Sequence, residues 1–202
     1  MIALVDYGIG NLRSVEKALA SVGAEVQLTS DPQVILSANQ VVLPGVGAFG
    51  DGMAGLRQRG LEPVIRQIAS QGRPLLGICL GMQLLFESSD EMGQHTGLGL
   101  LPGRVTRFAE AGWKVPQTGW NQLNILQDTP LLAGLHSGDY AYFNHSYYCE
   151  PAEPQDSLAS TEYVMAYASV IGRGSLYGVQ FHPEKSQALG LQILRNFVER
   201  CQ

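Results

Sequence analysis

The first 90 residues alternate short strand-like runs with stretches of helical periodicity, and this rhythm constrains the fold more than any other feature of the chain. Ile2 to Val5 is an unbroken apolar run, as expected of a parallel strand covered on both faces. Behind it, Leu12, Val15, Leu19 and Val22 recur at helical spacing, with Asn11 placed to cap the helix and Gly23 to stop it. Glu25 to Thr29 reads as a second strand and Val41 to Leu43 as a third, closed by Pro44-Gly45. Leu61, Val64, Ile65 and Ile68 form the face of another helix. Leu75, Leu76 and Ile78 make a fourth strand that runs straight into Cys79. Strand, helix, strand, helix in this order predicts the α/β class, with a mostly parallel central sheet flanked by helices.

From Arg104 to Phe181 the pattern changes to short strand-like runs separated by turn signals. The candidates are Val105 to Phe108, Gln122 to Ile125, Tyr140 to Tyr148, Val164 to Val170 and Leu176 to Phe181. Gly172-Arg173-Gly174 looks like a hairpin turn between the last two, so an antiparallel addition in the second half is expected. One helix closes the chain, with Ser186 as its cap and Leu191, Leu194, Val198 and Cys201 on one face. No repeat or linker divides the sequence, and residues 1–202 read as one domain.

Composition narrows the function classes. Apolar residues make up 45 % and charged residues 15 %, which excludes a disordered chain. A formal charge of −5 argues against a nucleic-acid or anionic-membrane surface. No apolar stretch approaches the ~18 residues of a membrane span, and Met-Ile-Ala-Leu-Val-Asp has no basic n-region, so a signal peptide is not expected. Cys79, Cys149 and Cys201 lie too far apart in sequence to suggest a metal cluster, and a soluble cytoplasmic protein with free thiols is expected, without cofactor.

The segment that carries chemistry is Gly77-Ile78-Cys79-Leu80-Gly81, a G-x-C-x-G form of the nucleophile elbow that joins a buried strand to an expected apolar helix (Met82, Leu84, Leu85, Phe86). A sharp strand-to-helix turn drives the side chain into the open, and both flanking residues must be small for the backbones to approach. The thiol then meets a helix N-terminus, whose dipole favours the thiolate. The N–H of Leu80 points where an oxyanion would form. Cys149 and Cys201 lack such a setting and read as buried thiols.

A thiol nucleophile needs a base. His182 ends an apolar strand at the carboxyl side of the expected sheet, where α/β sites gather, and Glu184 is close enough to orient its ring. His95 and His136 sit among turn residues and read as solvated, while His145 lies inside a strand and reads as a core histidine. The glycine-dense loop Pro44-Gly45-Val46-Gly47-Ala48-Phe49-Gly50 offers close backbone approach or an oxyanion donor. Gly8-Ile9-Gly10-Asn11 falls short of a dinucleotide fingerprint, since Arg13 stands where a third glycine belongs.

Three segments together resemble the class I (triad) glutamine amidotransferases. They are Pro44-Gly45-Val46-Gly47, the run from Gly77 to Phe86, and Gly178-Val179-Gln180-Phe181-His182-Pro183-Glu184-Lys185-Ser186. Gly119-Trp120-Asn121 and His145-Ser146-Tyr147-Tyr148 narrow the likeness to the members that serve a (β/α)₈-barrel cyclase. The resemblance implies a flavodoxin-like fold and glutamine as substrate, with the cyclase subunit as heterodimer partner. Cys79, His182 and Glu184 would be the triad. Val46, Gly47 and Leu80 would form the oxyanion hole, and Gly45, Gln83, Ser146 and Tyr147 would bind substrate. Trp120 and Lys185 adjoin these motifs and are the expected partner contacts. Before Gly-Trp-Asn the family often has Pro-His-Met, whereas this chain has Pro116-Gln117-Thr118, and Asn144 stands before His145 where an apolar residue is commoner. Three other readings stay open: a subunit of another class I amidotransferase (anthranilate or purine pathway), a cysteine hydrolase of the same fold acting alone, and a non-catalytic flavodoxin-like binding protein.

Overall fold

The structure, a computed structural model, describes residues 1–109 and 112–201. In the first half, strands β1 (Ile2–Val5), β2 (Val26–Thr29), β3 (Gln40–Leu43) and β4 (Leu75–Ile78) are interleaved with helices. These are α1 (Leu12–Ser21), α2 (Pro32–Ser37), α3 (Phe49–Gln58), α4 (Glu62–Ser70) and the short α5 (Leu80–Leu84). Strands follow almost without interruption: β5 (Phe86–Ser89), β6 (His95–Thr96), β7 (Leu101–Arg107), β8 (Gln117–Gln122), β9 (Asn124–Ile125) and β10 (Tyr140–His145). Then come β11 (Tyr147–Pro151), β12 (Ser157–Glu162), β13 (Ala166–Arg173) and β14 (Leu176–Val179), and α6 (Gln187–Arg200) closes the chain.

β1 shows why its sequence is apolar throughout. Successive side chains of a strand point to opposite faces. Ile2 and Leu4 pack with Leu19 of α1 and with Ile193 and Phe197 of α6. Ala3 and Val5 pack with Ile35 of α2, Met53 of α3 and Ile65 of α4. Both faces are covered, so no position in the strand can be polar. The main sheet runs β2-β1-β3-β4-β14-β13-β11-β7-β5-β6, with β12 beside β13 and β9 beside β12. From β2 to β14 every pairing is parallel. β13 and β11 continue it antiparallel, and β8 with β10 forms a separate two-stranded sheet.

Several expectations need correction. Phe86 does not continue the elbow helix: α5 stops at Leu84, and Phe86 enters β5 beside β7. The stretch from Tyr140 to Tyr148 is two strands in two sheets, parted at Ser146, whose carbonyl accepts from the Phe108 N–H at 3.1 Å. Gln122 and Ile125 likewise belong to different strands, β8 and β9. Helix α2 was not expected; Asp31 caps it by accepting from Gln33 N–H at 2.8 Å. Ser186 precedes α6 without a side-chain cap, because its hydroxyl donates to the His182 carbonyl and accepts from Tyr142 N–H. His95 is partly buried against Phe49 rather than solvated. No helix among the described residues is long and apolar enough to cross a membrane.

Candidate active site

Cys79 stands between the end of β4 and the start of α5, in the backbone conformation φ +52°, ψ −109°. A non-glycine residue there stores on the order of 1–3 kcal/mol of strain. The turn is held by hydrogen bonds on both sides. Cys79 N–H donates to the Val179 carbonyl at 2.8 Å, and the Cys79 carbonyl accepts from Met82 and Gln83 at 3.0 and 3.2 Å. The flanking glycines have specific steric reasons. A Cβ at Gly77 would come within 2.6 Å of the Gly81 carbonyl oxygen and the Met82 nitrogen, and one at Gly81 would overlap the Leu43 carbonyl. Either substitution would push α5 off the sheet and move the thiol.

β14 lies parallel to β4 with Val179 beside Ile78, so the chain leaving β14 passes the elbow. His182 follows within three residues, anchored by its N–H to the Tyr142 carbonyl at 2.9 Å. The imidazole hydrogen-bonds the Cys79 thiol on one side. On the other, Nδ1 lies 3.0 Å from Glu184 Oε1, in a turn spanning Pro183–Lys185. Burial pushes the ring toward neutrality, but the Cys79 sulfur and the Glu184 carboxylate outweigh it and raise its pKa to about 10. The imidazole therefore holds its proton at neutral pH. Cys79, His182 and Glu184 are all buried, so water does not screen the set.

A cavity of about 290 Å³ opens onto Cys79 and His182. Val46, Gly47, Leu80, Gln83, Ser146 and Tyr147 line it, whereas Gly45 is not among its lining residues. A side chain at Gly45 would overlap the hydroxyl of Tyr7, which supports the loop by donating to the Pro44 carbonyl at 2.6 Å. The Gly45 carbonyl itself accepts from the Leu80 N–H at 3.3 Å. Gly47 has φ +102°, a conformation that glycine adopts without strain, where the loop meets the cavity.

Sequence reasoning missed Gln180. Its side-chain amide donates to Cys79 Sγ at 3.7 Å and accepts from Gln83 Nε2 at 3.1 Å, tying β14 to α5 beneath the thiol. A glutamine within the otherwise apolar run Val179-Gln180-Phe181 was the available signal. Glu91 also reaches the cavity, accepting from Phe49 N–H at 2.6 Å, and its place depends on loop folding that no local pattern announces. Beside the site, Trp120 is half-exposed with its ring edge-on to Tyr142 at 6.0 Å, and Lys185 Nζ lies 5.6 Å above the same ring. Cys149 and Cys201 are buried free thiols, and the described residues contain no cluster suited to a metal.

A buried thiol joined to an imidazole and a carboxylate, beside a cavity walled by backbone amides, is equipped to attack a carbonyl and protonate its leaving group. Comparison with known proteins points the same way. The family model for glutamine amidotransferase class-I matches residues 3–201. The chain is 54 % identical to the imidazole glycerol phosphate synthase subunit HisH of Moorella thermoacetica, covering 98 % of this chain and 94 % of that protein. The protein of the same name from Methanosarcina mazei is 49 % identical, covering 99 % and 98 %. Among solved structures, one described as a glutamine amidotransferase superposes with a TM-score of 0.78 at 20 % identity, over 100 % of this chain and 99 % of that one. PurLQS from Thermotoga maritima gives 0.76 at 18 %, over 100 % and 98 %, a likeness of fold.

Proposed function

The chain belongs to the class-I glutamine amidotransferases, and from that premise we propose that it is the glutaminase subunit of an imidazole glycerol phosphate synthase in histidine biosynthesis. The observation that carries the reading is the single imidazole of His182, bonded to Cys79 on one side and to Glu184 on the other. The thiolate of Cys79 attacks the side-chain amide carbon of glutamine. His182 gives its proton to the departing nitrogen, so ammonia leaves and a glutamyl thioester remains. The now neutral His182 takes a proton from water, whose oxygen attacks the thioester; glutamate leaves and the thiol is restored. Glu184 holds the ring in place and balances its charge through both halves.

The Leu80 N–H and the Val46–Gly47 peptide are the donors suited to the tetrahedral oxygen, and Gln83 with the Ser146–Tyr147 backbone is suited to the glutamine head group. In the resting chain the Leu80 N–H is engaged by the Gly45 carbonyl. Removing one such donor typically costs on the order of 10²–10³ in kcat. The free subunit is therefore a weak glutaminase until a partner resets the loop. That partner is a (β/α)₈-barrel cyclase subunit, bound as a heterodimer in the cytoplasm. It receives ammonia directly, because ammonia released into neutral water is mostly protonated and no longer nucleophilic. Its products are imidazole glycerol phosphate and an aminoimidazole-carboxamide ribotide.

The test is glutamate release from glutamine by the purified chain, alone and with the cyclase plus its nucleotide ligand, with Cys79→Ala as blank. Little release alone and a large rise with the liganded cyclase are expected. Equal rates in both would keep the glutaminase and remove the synthase assignment. Silence in both would favour a binding protein of the same fold.

A further inference from the structure

At the wall of the cavity, three buried side chains and a backbone carbonyl form a chain that the triad does not use. Gln117 on β8 and His145 on β10 are direct cross-strand neighbours, and Tyr167 of β13 reaches between them. The Tyr167 hydroxyl lies 2.9 Å from Gln117 Oε1 and 3.2 Å from His145 Nε2. His145 Nδ1 lies 2.7 Å from the Tyr147 carbonyl oxygen, which also accepts from Gln83 Nε2 at 3.0 Å. Gln117, Tyr167 and His145 are each no more than 6 % exposed, and Gln117 Nε2 is buried without a partner.

Counting protons decides which way this chain runs. A carbonyl oxygen only accepts, so His145 Nδ1 carries a hydrogen. Burial keeps the ring neutral, pushing its pKa down to about 4 against the raising effect of the Tyr147 bond. Nε2 is then a bare acceptor, and the only hydrogen facing it belongs to the Tyr167 hydroxyl, whose ionisation burial suppresses. That hydrogen cannot also serve Gln117. The Gln117 amide must instead present its N–H to the phenol oxygen. A half-turn of the amide exchanges Oε1 with the partnerless Nε2 and does this without moving any other atom.

We propose that Gln117 and Tyr167 are positioning residues of the glutamine site: they lock His145 as its Nδ1–H tautomer, and His145 pins the Tyr147 carbonyl. This rests on the glutaminase reading, in which the Ser146–Tyr147 backbone holds the glutamine head group. With the hydroxyl removed, Nε2 loses its donor and the Nε2–H tautomer becomes competitive. In that tautomer Nδ1 faces the Tyr147 carbonyl with a lone pair, so the peptide is released on that side. Neither Cys79 nor His182 is touched, so binding suffers and the chemical step does not.

The test pairs steady-state kinetics of the synthase complex with nitrogen-15 NMR of the His145 ring in the free chain, for Tyr167→Phe and Gln117→Leu. Both variants keep side-chain volume close to the original. Tyr167→Phe is expected to raise KM for glutamine about 5-fold or more, with kcat within about twofold. Its His145 spectrum should change from pure Nδ1–H to a mixture. Gln117→Leu leaves the hydroxyl in place with Thr161 as its remaining side-chain support and should shift both readings less, in the same direction. An unchanged KM or an unchanged tautomer in Tyr167→Phe would overturn the proposal. Wild type without turnover would strike at the glutaminase reading instead, and the tautomer spectra would still decide the His145 arrangement.

Discussion

At His145 a neutral imidazole is enclosed by Phe108, Phe143 and Tyr167. Desolvation there, opposed by the Tyr147 bond and assisted by the nearby charge of His182, lowers its pKa from 6.5 to about 4. The unfolded chain binds a proton at this site below pH 6.5 and the folded chain only near pH 4, so stability is lost as pH falls through that window. At pH 5 the loss is about 2 kcal/mol. His145→Asn removes the titration. Urea unfolding at pH 8 and pH 5 should show wild type losing that much more than the variant, and parallel losses would show that the ring is not held neutral. At the triad, Glu184→Gln withdraws the carboxylate beside His182 and should lower kcat by on the order of 10², with little change in KM. The elbow was legible because two glycines around one cysteine form a local signature. Gln180 was not, because its partners Cys79 and Gln83 lie 101 and 97 positions away in sequence.

Elements covered on both faces were the readable ones, since continuous burial favours a continuous apolar run; β1 and β4 show it, and β3 shows it from Val41 to Leu43, after the buried Gln40. Elements defined by a change of sheet were not. Nothing in Tyr140 to Tyr148 marks Ser146 as the point where β10 leaves for one sheet and β11 for another. Phe86 is apolar in either a helix or a strand, and only its pairing opposite Leu101 decides. The end of α6 depends on a residue distant in sequence. Gln40 Nε2 donates to the carbonyls of Phe197 and Cys201, both at 2.8 Å, where the last helical turn has no partners of its own. Gln40→Leu should cost about 1–3 kcal/mol in urea unfolding. Hydrogen exchange should quicken in the last turn of α6 before any other element; uniform exchange would mean that the amide is not its anchor.

For the molecule as a whole, the surface around Trp120, Tyr142 and Lys185 is the one we assign to the partner. A half-exposed Trp beside the site is the kind of residue that carries interface energy. Trp120→Ala should weaken the complex by about 10-fold or more, roughly 1.4 kcal/mol or above. Lys185→Ala should also weaken it, and unchanged affinity in a titration would take Lys185 out of the interface. The molecule's topology has a consequence for its synthesis. Cys79 follows β4 and its base follows β14, neighbours in space although 101 positions separate Cys79 from Gln180. The nucleophile leaves the ribosome with the edge of β4 open and no imidazole beside it. Until β14 and the His182 turn have been made, the nascent chain carries a thiol without its proton donor. Synthesis of that late strand is thus the step that brings the donor to the thiol.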